Sequence, residues 1–271
     1  MFLTTDGAKL YYEVRGCGPT LLISQSGEGG AERSSDLVDR LTDRYTVVTY
    51  DRRGLSRSTI DDPARGVTMA AHADDVHRLL AALTDEPVAM LGCSMGGAIG
   101  LHLAATHPEQ LGTLVAHDPI VPKLLPAGRE AEHKEQLAQL QQVYREGGLS
   151  AALPEIARTL AIDPTHQDVE PDLTPIPFTP TRVANFDFFI REDFTGVIDD
   201  DLDLDAVRRA PVRIVPANGR TTAPSVFVGQ CGRGLAELLG VPAVEFPGGH
   251  NGNLTHPRAY AAHLLAVLDA V

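Results

Sequence analysis

The sequence predicts an α/β protein with a mostly parallel, eight-stranded sheet and helices on both faces. Short apolar runs, typical of buried strands, recur along the chain. Between the later runs, apolar residues are spaced three or four positions apart, as in amphipathic helices, and this alternation of strand and helix favours parallel pairing. The predicted strands are residues 2–5, 9–14, 20–23, 45–50, 88–91, 113–116, 212–215 and 241–246.

Local signals support the first elements and the last one. The dipeptide Asp6-Gly7 separates the first two runs and is typical of the tight turn of a hairpin. Residues 68–83 are predicted to form a helix that begins after Thr68 as N-cap. Its apolar face consists of Met69, Ala73, Val76, Leu80 and Leu83. A second amphipathic segment, residues 257–271, closes the chain.

The segment between the sixth and seventh predicted strands differs from the rest. It contains charged helical sequence at residues 130–145 and a proline-rich stretch at residues 171–180. A long insertion of this kind cannot extend the sheet, so it is expected to lie over it. We predict a core formed by residues 1–120 and 210–271, with residues 121–209 as an inserted helical cap.

Composition narrows the possible partners and compartments. With 271 residues, 43% of them hydrophobic, the chain can bury a core of its own. The formal net charge of −13 disfavours binding to nucleic acid or to an anionic membrane surface. Its three cysteines match neither a disulfide framework nor a zinc pattern, and its start lacks the segments of a secretory leader. We expect a cytoplasmic monomer or homodimer that acts on a small molecule without a cofactor or metal.

The stretch GCSMGG at residues 92–97 follows the fifth predicted strand and carries the main chemical signal. A serine hydroxyl needs a neighbouring base and a site where a developing oxyanion is stabilised. A sharp turn from strand to helix meets both needs, because it raises Ser94 above the sheet and directs the N–H of Met95 at the oxyanion. Small residues at positions 92 and 96 allow the helix to fold back onto the strand.

Three motifs together resemble the α/β-hydrolase family. They are GCSMGG at 92–97, YDRRGLSRS at 50–58 and FPGGHNG at 246–252. The resemblance implies a nucleophile at Ser94, a base at His250 after the last strand, and oxyanion donors at the N–H groups of Met95 and Gly27. Members of the family often have His-Gly in the loop that contains Gly27, where this chain has Gln25-Ser26.

The acid of the expected catalytic triad is displaced. The family usually places it after the seventh strand, but no Asp or Glu lies between Asp205 and Glu237 in this chain. Some members carry it after the sixth strand, where this sequence has Asp118. We predict Asp118 as the acid. A turn role for Asp118, and a Ser–His dyad assisted by Asn218, remain alternatives.

Other clusters are interpreted as structural. His72 and His77 are five residues apart and turn to different faces of a helix, which disfavours a metal site with Asp74 and Asp75. The acidic run 199–205 lacks the glycine and glutamate of a calcium loop. We interpret Arg52, Arg53 and Arg57 as turn residues, and Cys93 as a packed small residue.

Phenylalanines are concentrated in the predicted cap, at positions 178, 186, 188, 189 and 194. We predict that Phe186, Phe188 and Phe189 line an apolar substrate pocket, with packing inside the cap as the alternative.

The predicted reaction is cleavage of an ester, lactone or thioester of a small apolar molecule through an acyl-enzyme. A serine in the elbow argues against epoxide hydrolysis and dehalogenation, for which the resemblance would require an aspartate. The altered acid loop leaves open a non-hydrolytic enzyme of specialised metabolism that cleaves C–C bonds, cyclises or transfers acyl groups. A ligand-binding protein without catalysis is disfavoured by Ser94 and His250.

Overall fold

One mixed sheet runs through the computed structural model, which describes residues 1–162 and 168–270. Its main strands are β1 (Phe2–Thr5), β2 (Ala8–Gly16), β3 (Thr20–Ser24), β4 (Thr46–Tyr50), β5 (Val88–Cys93), β6 (Leu111–His117), β7 (Arg213–Gly219) and β8 (Val244–Phe246). Their spatial order is β1-β2-β4-β3-β5-β6-β7-β8. The pairs β1–β2 and β2–β4 are antiparallel, and every later pair is parallel. The predicted fold class is confirmed.

Most strand bounds differ from the prediction by a few residues, and one strand was not predicted. A two-residue strand, Thr59–Ile60, pairs with β2 and is too short to give a periodic signal. Strand β7 extends to Gly219, so Asn218 lies within the end of a strand and not in the loop that follows. The reason is the parallel pairing of β7 with β6 and β8, which continues through Pro216 and Asn218.

The helices alternate with the parallel strands and also fill the insertion between β6 and β7. The helices are α1 (Ser35–Asp39), α2 (Met69–Leu83), α3 (Met95–Thr106), α4 (Arg129–Thr159), α5 (Pro180–Phe188), α6 (Phe194–Ile198), α7 (Leu204–Arg209), α8 (Phe227–Leu239), α9 (Gly252–Thr255) and α10 (Pro257–Asp269). A π-helix, Phe189–Asp193, joins α5 to α6, and short 3₁₀ turns lie at Pro63–Arg65, Pro108–Gln110 and Pro122–Leu124. In the described part of the chain, no helix has both the length and the apolar character needed to cross a bilayer.

The sheet is covered on both faces, which explains why its central strands are apolar at consecutive positions. Neighbouring residues of a strand point to opposite faces, so a doubly covered strand needs apolar residues at both. Met90 and Leu114 pack on the face covered by α2, α3 and α8. Leu91 and Val115 pack on the opposite face, with Tyr260 of α10.

The insertion between β6 and β7 packs in two ways. Helix α4, bent at Gly148, packs against α5, the π-helix and α6, and this group borders a cavity at the carboxyl ends of the strands. Helix α7 instead packs against α3 and α8. A buried contact of 2.7 Å between His102 Nε2 of α3 and Asp200 Oδ1 attaches the segment before α7 to the core.

Candidate active site

Ser94 lies at the sharp turn between β5 and α3. Its backbone has φ +53° and ψ −108°, a conformation that is strained for a residue with a side chain. A Cβ on Gly96 would lie 2.0 Å from the carbonyl oxygen of Ser24, and one on Gly92 would lie 2.3 Å from that of Gly96. Larger residues at these positions would push α3 off the sheet, so the glycines permit the turn that presents Ser94 to the cavity.

His250 follows β8 and faces Asp118, which follows β6. The distance from His250 Nδ1 to Asp118 Oδ2 is 3.3 Å, a long hydrogen bond, and both side chains are buried. Asp118 has φ +43°, and its N–H donates to the carbonyl oxygen of Ala217 at 2.8 Å. Its carboxylate also accepts a hydrogen bond of 2.7 Å from Thr222 Oγ1. The structure therefore brings together two residues that are 132 positions apart.

The Asp118 carboxylate is held in its charged form. Burial acts to raise the pKa of Asp118, but this is outweighed by the charge that His117 carries at acid pH and by hydrogen bonds from His250 and Thr222, so the pKa lies below its usual range. Complete burial lowers the pKa of His117 itself to about 4. At neutral pH a negative carboxylate therefore faces His250.

Asn218 touches the acid and not the histidine. Its Nδ2 donates to Asp118 Oδ1 at 2.7 Å, and within the described residues it makes no hydrogen bond to His250. From the sequence, Asn218 and Asp118 were alternative partners of His250. In the structure the amide supports the carboxylate that faces the imidazole.

Ser94 and His250 line the same cavity, although no hydrogen bond joins their side chains in the described part of the chain. Such contacts are often long without substrate and shorten when it binds. The N–H of Met95 is in the first turn of α3, where no intrahelical acceptor exists. Gly27, with φ +32°, borders the cavity from the loop after β3. Gly27, Ser94 and His250 thus border one space, Met95 directly follows Ser94, and Asp118 is buried behind His250. The roles of all five stay predictions.

Arg52 organises the loop that contains Gly27. Its guanidinium is buried and donates to the carbonyl oxygens of Gln25 and Gly27, which flank the peptide unit bearing the Gly27 N–H. It also pairs with Asp193 of the π-helix at 2.8 Å, and Asp193 contacts His72 Nε2 at 2.9 Å. From the sequence, Arg52 was interpreted as a turn residue. Its charged partner Asp193 lies 141 positions away, too far to give a local signal.

The cavity has a volume of about 260 Å³ and a largely apolar wall. Its apolar lining residues are Ile120, Leu137, Leu140, Leu153, Ile156, Ala157, Leu160, Ile162, Phe186, Phe189, Phe194 and Phe227. Of the three phenylalanines predicted to line the pocket, Phe186 and Phe189 border the cavity and Phe188 does not. The ring of Phe188 instead packs over Gly54. A Cβ on Gly54 would lie only 2.3 Å from that ring. In helical geometry, consecutive residues cannot all face the same cavity.

The clusters interpreted as structural have separate partners. His72 contacts Asp193, Asp75 binds Arg53, Asp74 binds Arg78, and His77 contacts Gln110. Among residues 1–162 and 168–270, no group of three or more His, Cys, Asp or Glu side chains is arranged to hold a metal ion.

Comparison with known proteins gives consistent matches. A family model for the alpha/beta hydrolase fold matches residues 19–239. The chain is 33% identical to a protein of Bacillus subtilis named uncharacterized hydrolase YraK, over 98% of this chain and 95% of that one. It is 39% identical to the putative carbamate hydrolase RutD of Caulobacter vibrioides, over 41% and 42% of the two chains. An esterase structure from Exiguobacterium antarcticum superimposes with a TM-score of 0.74 at 19% identity, covering 99% of each chain.

Proposed function

Because the chain belongs to the α/β-hydrolase family, as the family model and the full-length relative show, we propose that it is a serine hydrolase of small esters, lactones or thioesters. The observation that carries the proposal is the contact of His250 with Asp118 beside a cavity that Ser94 also lines. A buried carboxylate, a histidine and a strained serine around one apolar space are the parts that acyl transfer requires.

In the proposed first half-reaction, Ser94 Oγ attacks the substrate carbonyl carbon while His250 Nε2 accepts the hydroxyl proton. A C–O bond forms, and the carbonyl π electrons move onto oxygen. The N–H groups of Gly27 and Met95 donate to this oxyanion. When the tetrahedral intermediate collapses, the bond to the leaving group breaks and His250 returns the proton to that group.

In the second half-reaction, water replaces the leaving group. His250 removes a proton from water, the hydroxide adds to the acyl carbon, and Ser94 leaves with the proton returned by the imidazolium. Asp118 stays ionised and orients the Nδ1–H of His250, while it stabilises the imidazolium electrostatically. Its lowered pKa supports this role, because a carboxylate that titrated near neutral pH would lose its charge as the imidazolium formed.

Covalent labelling tests the nucleophile. A fluorophosphonate is expected to add its mass to the peptide that contains Ser94, and Ser94→Ala is expected to abolish labelling and reduce kcat by at least about 10⁴-fold, as loss of a nucleophile does. Ser26→Ala is the matched control, since Ser26 also borders the cavity. Labelling that persists in Ser94→Ala would reject Ser94 as the nucleophile.

Oxygen-18 water separates hydrolysis from the non-hydrolytic alternative. A hydrolase places one labelled oxygen in the carboxylic acid product, because water attacks the acyl-enzyme. Release of the acyl group as an unlabelled cyclised or transferred product would contradict hydrolysis and leave Ser94 as the nucleophile of a different reaction.

A further inference from the structure

One end of the catalytic cavity carries an arginine pair with too little negative charge to balance it. Arg33 lies before α1, and Arg182 lies in α5. Both bind the same oxygen, Oε1 of Glu28, which follows Gly27 in the loop after β3. The three side chains line the cavity that Ser94 and His250 border.

The charges in this cluster do not cancel. Two guanidinium groups and one carboxylate leave a formal charge of +1. The described residues lining the cavity include no further Asp, Glu, Lys or Arg. In a chain with a net charge of −13, this positive end is opposite in sign to the protein as a whole. Its charge is weakly screened, because the remaining wall is largely apolar.

The hydrogen-bonding capacity of the cluster is also incompletely used. The Arg33 side chain is only 10% exposed, yet its buried Nε has no acceptor among the described residues. Within that part of the chain, the guanidinium donates through Nη1 alone, to Glu28. A buried donor of this kind loses its hydration without replacement, unless a ligand supplies the acceptor.

The cluster is accessible to a ligand. Glu28, Arg33 and Arg182 also line a second cavity, of about 390 Å³, so they stand between two spaces and are not enclosed in packed core. Arg182 is held in place from the other side, since Nη1 donates to the carbonyl oxygen of Ile176 and its guanidinium lies 5.5 Å from the ring of Phe186. A substrate group that extends from Ser94 along the cavity can therefore meet two positioned guanidinium groups.

We propose that the Arg33–Arg182 pair binds a carboxylate of the substrate, so that the enzyme prefers largely apolar esters or lactones that carry a terminal carboxylate. The planar fork of a guanidinium matches the two oxygens of a carboxylate, and such charge-assisted bonds are the strong class of hydrogen bond. The aliphatic and phenylalanine wall then contacts the chain between the carboxylate and the reacting carbonyl. The proposal rests on the proposed serine hydrolase activity.

Matched esters test the proposal. Mono-4-nitrophenyl adipate carries a free carboxylate, and its methyl ester has the same chain with that charge removed; the corresponding suberate pair extends the chain. The wild-type enzyme is expected to show roughly 10-fold to 100-fold higher kcat/KM for the acid of at least one pair, mainly through KM. Equal values in both pairs would overturn the proposal.

Variants identify the residues responsible. Arg33→Gln is expected to lower the ratio of kcat/KM for the preferred acid to kcat/KM for its methyl ester by about 10-fold or more, while Arg33→Lys restores part of that ratio. Arg209→Gln removes one charge from an exposed site on α7 and is the control. A purely structural cluster predicts equal losses for acid and methyl ester in Arg33→Gln, and that outcome would refute the proposal.

Glu28→Gln gives a result that a structural ion cluster would not give. The Glu28 carboxylate occupies the guanidinium groups and repels a second carboxylate. Removing this charge is therefore expected to raise the ratio of kcat/KM for the acid to kcat/KM for its methyl ester several-fold, even if both values change. A lower ratio would count against a shared anion site.

Binding to Ser94→Ala separates this proposal from the proposed function. By calorimetry, monomethyl adipate, an anion, is expected to bind Ser94→Ala at least about 10-fold more tightly than dimethyl adipate, and adding Arg33→Gln removes the difference. If this preference is seen while fluorophosphonate labelling persists in Ser94→Ala, only the proposed function fails. If labelling requires Ser94 but the two esters bind equally or undetectably, only the carboxylate site fails.

Discussion

The two walls of the catalytic cavity are built on different principles. The sheet-side wall presents Ser94 and His250, with Asp118 buried behind His250. Its geometry depends on backbone: Ser94 and Asp118 both have positive φ, and glycines permit the close approach of α3. The cap-side wall consists mainly of apolar side chains from α4, α5 and the π-helix, and it also includes Arg182 of α5. The first wall carries the groups for which chemistry is proposed, whereas the second forms most of the apolar surface around them.

Two ionic clusters connect these walls, and they differ in charge balance. Arg52 and Asp193 are almost fully buried and pair one guanidinium with one carboxylate. Arg33 and Arg182 share a single carboxylate, that of Glu28. In the described residues the Nε of Arg33 and the Nε of Arg52 both lack an acceptor, so the excess positive charge is what distinguishes the second cluster. A charge-balanced cluster serves to position chain segments, while one with excess charge is suited to a ligand of opposite charge.

The largest effect is expected within the sheet-side wall. Asp118→Asn is expected to lower kcat by up to about 10⁴-fold, because an amide facing His250 favours the wrong imidazole tautomer, while KM changes little. Asn218→Ala should lower kcat by about 10-fold or less, since its amide acts only through Asp118. Steady-state kinetics with a small activated ester provide the measurement, with circular dichroism to check folding. A large loss of kcat in Asn218→Ala together with a nearly normal kcat in Asp118→Asn would support the alternative of a Ser–His dyad.

The next effect tests the charge-balanced pair of Arg52 and Asp193, which joins the walls. Asp193→Asn should lower the free energy of unfolding by about 3–5 kcal/mol, because it leaves the Arg52 guanidinium buried without its partner charge. The double variant Arg52→Met with Asp193→Leu should lose less, because neither charge remains. Urea denaturation measures both.

An exposed ion pair provides the control for this prediction. Asp269→Asn removes a carboxylate that pairs with Arg44 at 2.9 Å on the surface, and its denaturation midpoint should stay close to that of the wild type. If Asp193→Asn changed the free energy of unfolding as little as Asp269→Asn does, the buried charge of Arg52 would not need the Asp193 carboxylate.

The smallest effect is expected in the cap-side wall. Phe189→Ala should reduce kcat/KM for 4-nitrophenyl hexanoate about 10-fold more than for the acetate, because a longer acyl chain loses the apolar contact. Phe188→Ala removes the neighbouring ring, which packs on Gly54 outside the cavity, and should not alter the hexanoate-to-acetate ratio. Equal shifts of the ratio in both variants would mean that the cap responds as a whole and not through its cavity-facing rings.

The features that the sequence predicted best are those in which a short segment fixes its own geometry. Apolar runs and helical spacing predicted the sheet and its order of elements, because side-chain direction repeats with period two in strands and 3.6 in helices. GCSMGG predicted the turn around Ser94 for a similar reason, since a Cβ on Gly92 would clash with Gly96, which lies within the same motif. The position of Asp118 directly after β6 was also available from the order of strands.

The contacts between segments that are distant in the sequence were determined only by the tertiary structure. The pairing of Arg52 with Asp193 spans 141 positions, and that of Arg182 with Glu28 spans 154, so no local pattern could indicate either one. The orientation of α5 and the π-helix about their axes places Phe189 in the cavity and Phe188 outside it. Which face of a helix is buried is fixed only by its packing against the rest of the protein. The sequence by itself therefore determined the fold and the chemical groups at the strand ends. The partners of the buried charges, and with them the polarity of the cavity, were decided by packing between the cap and the core.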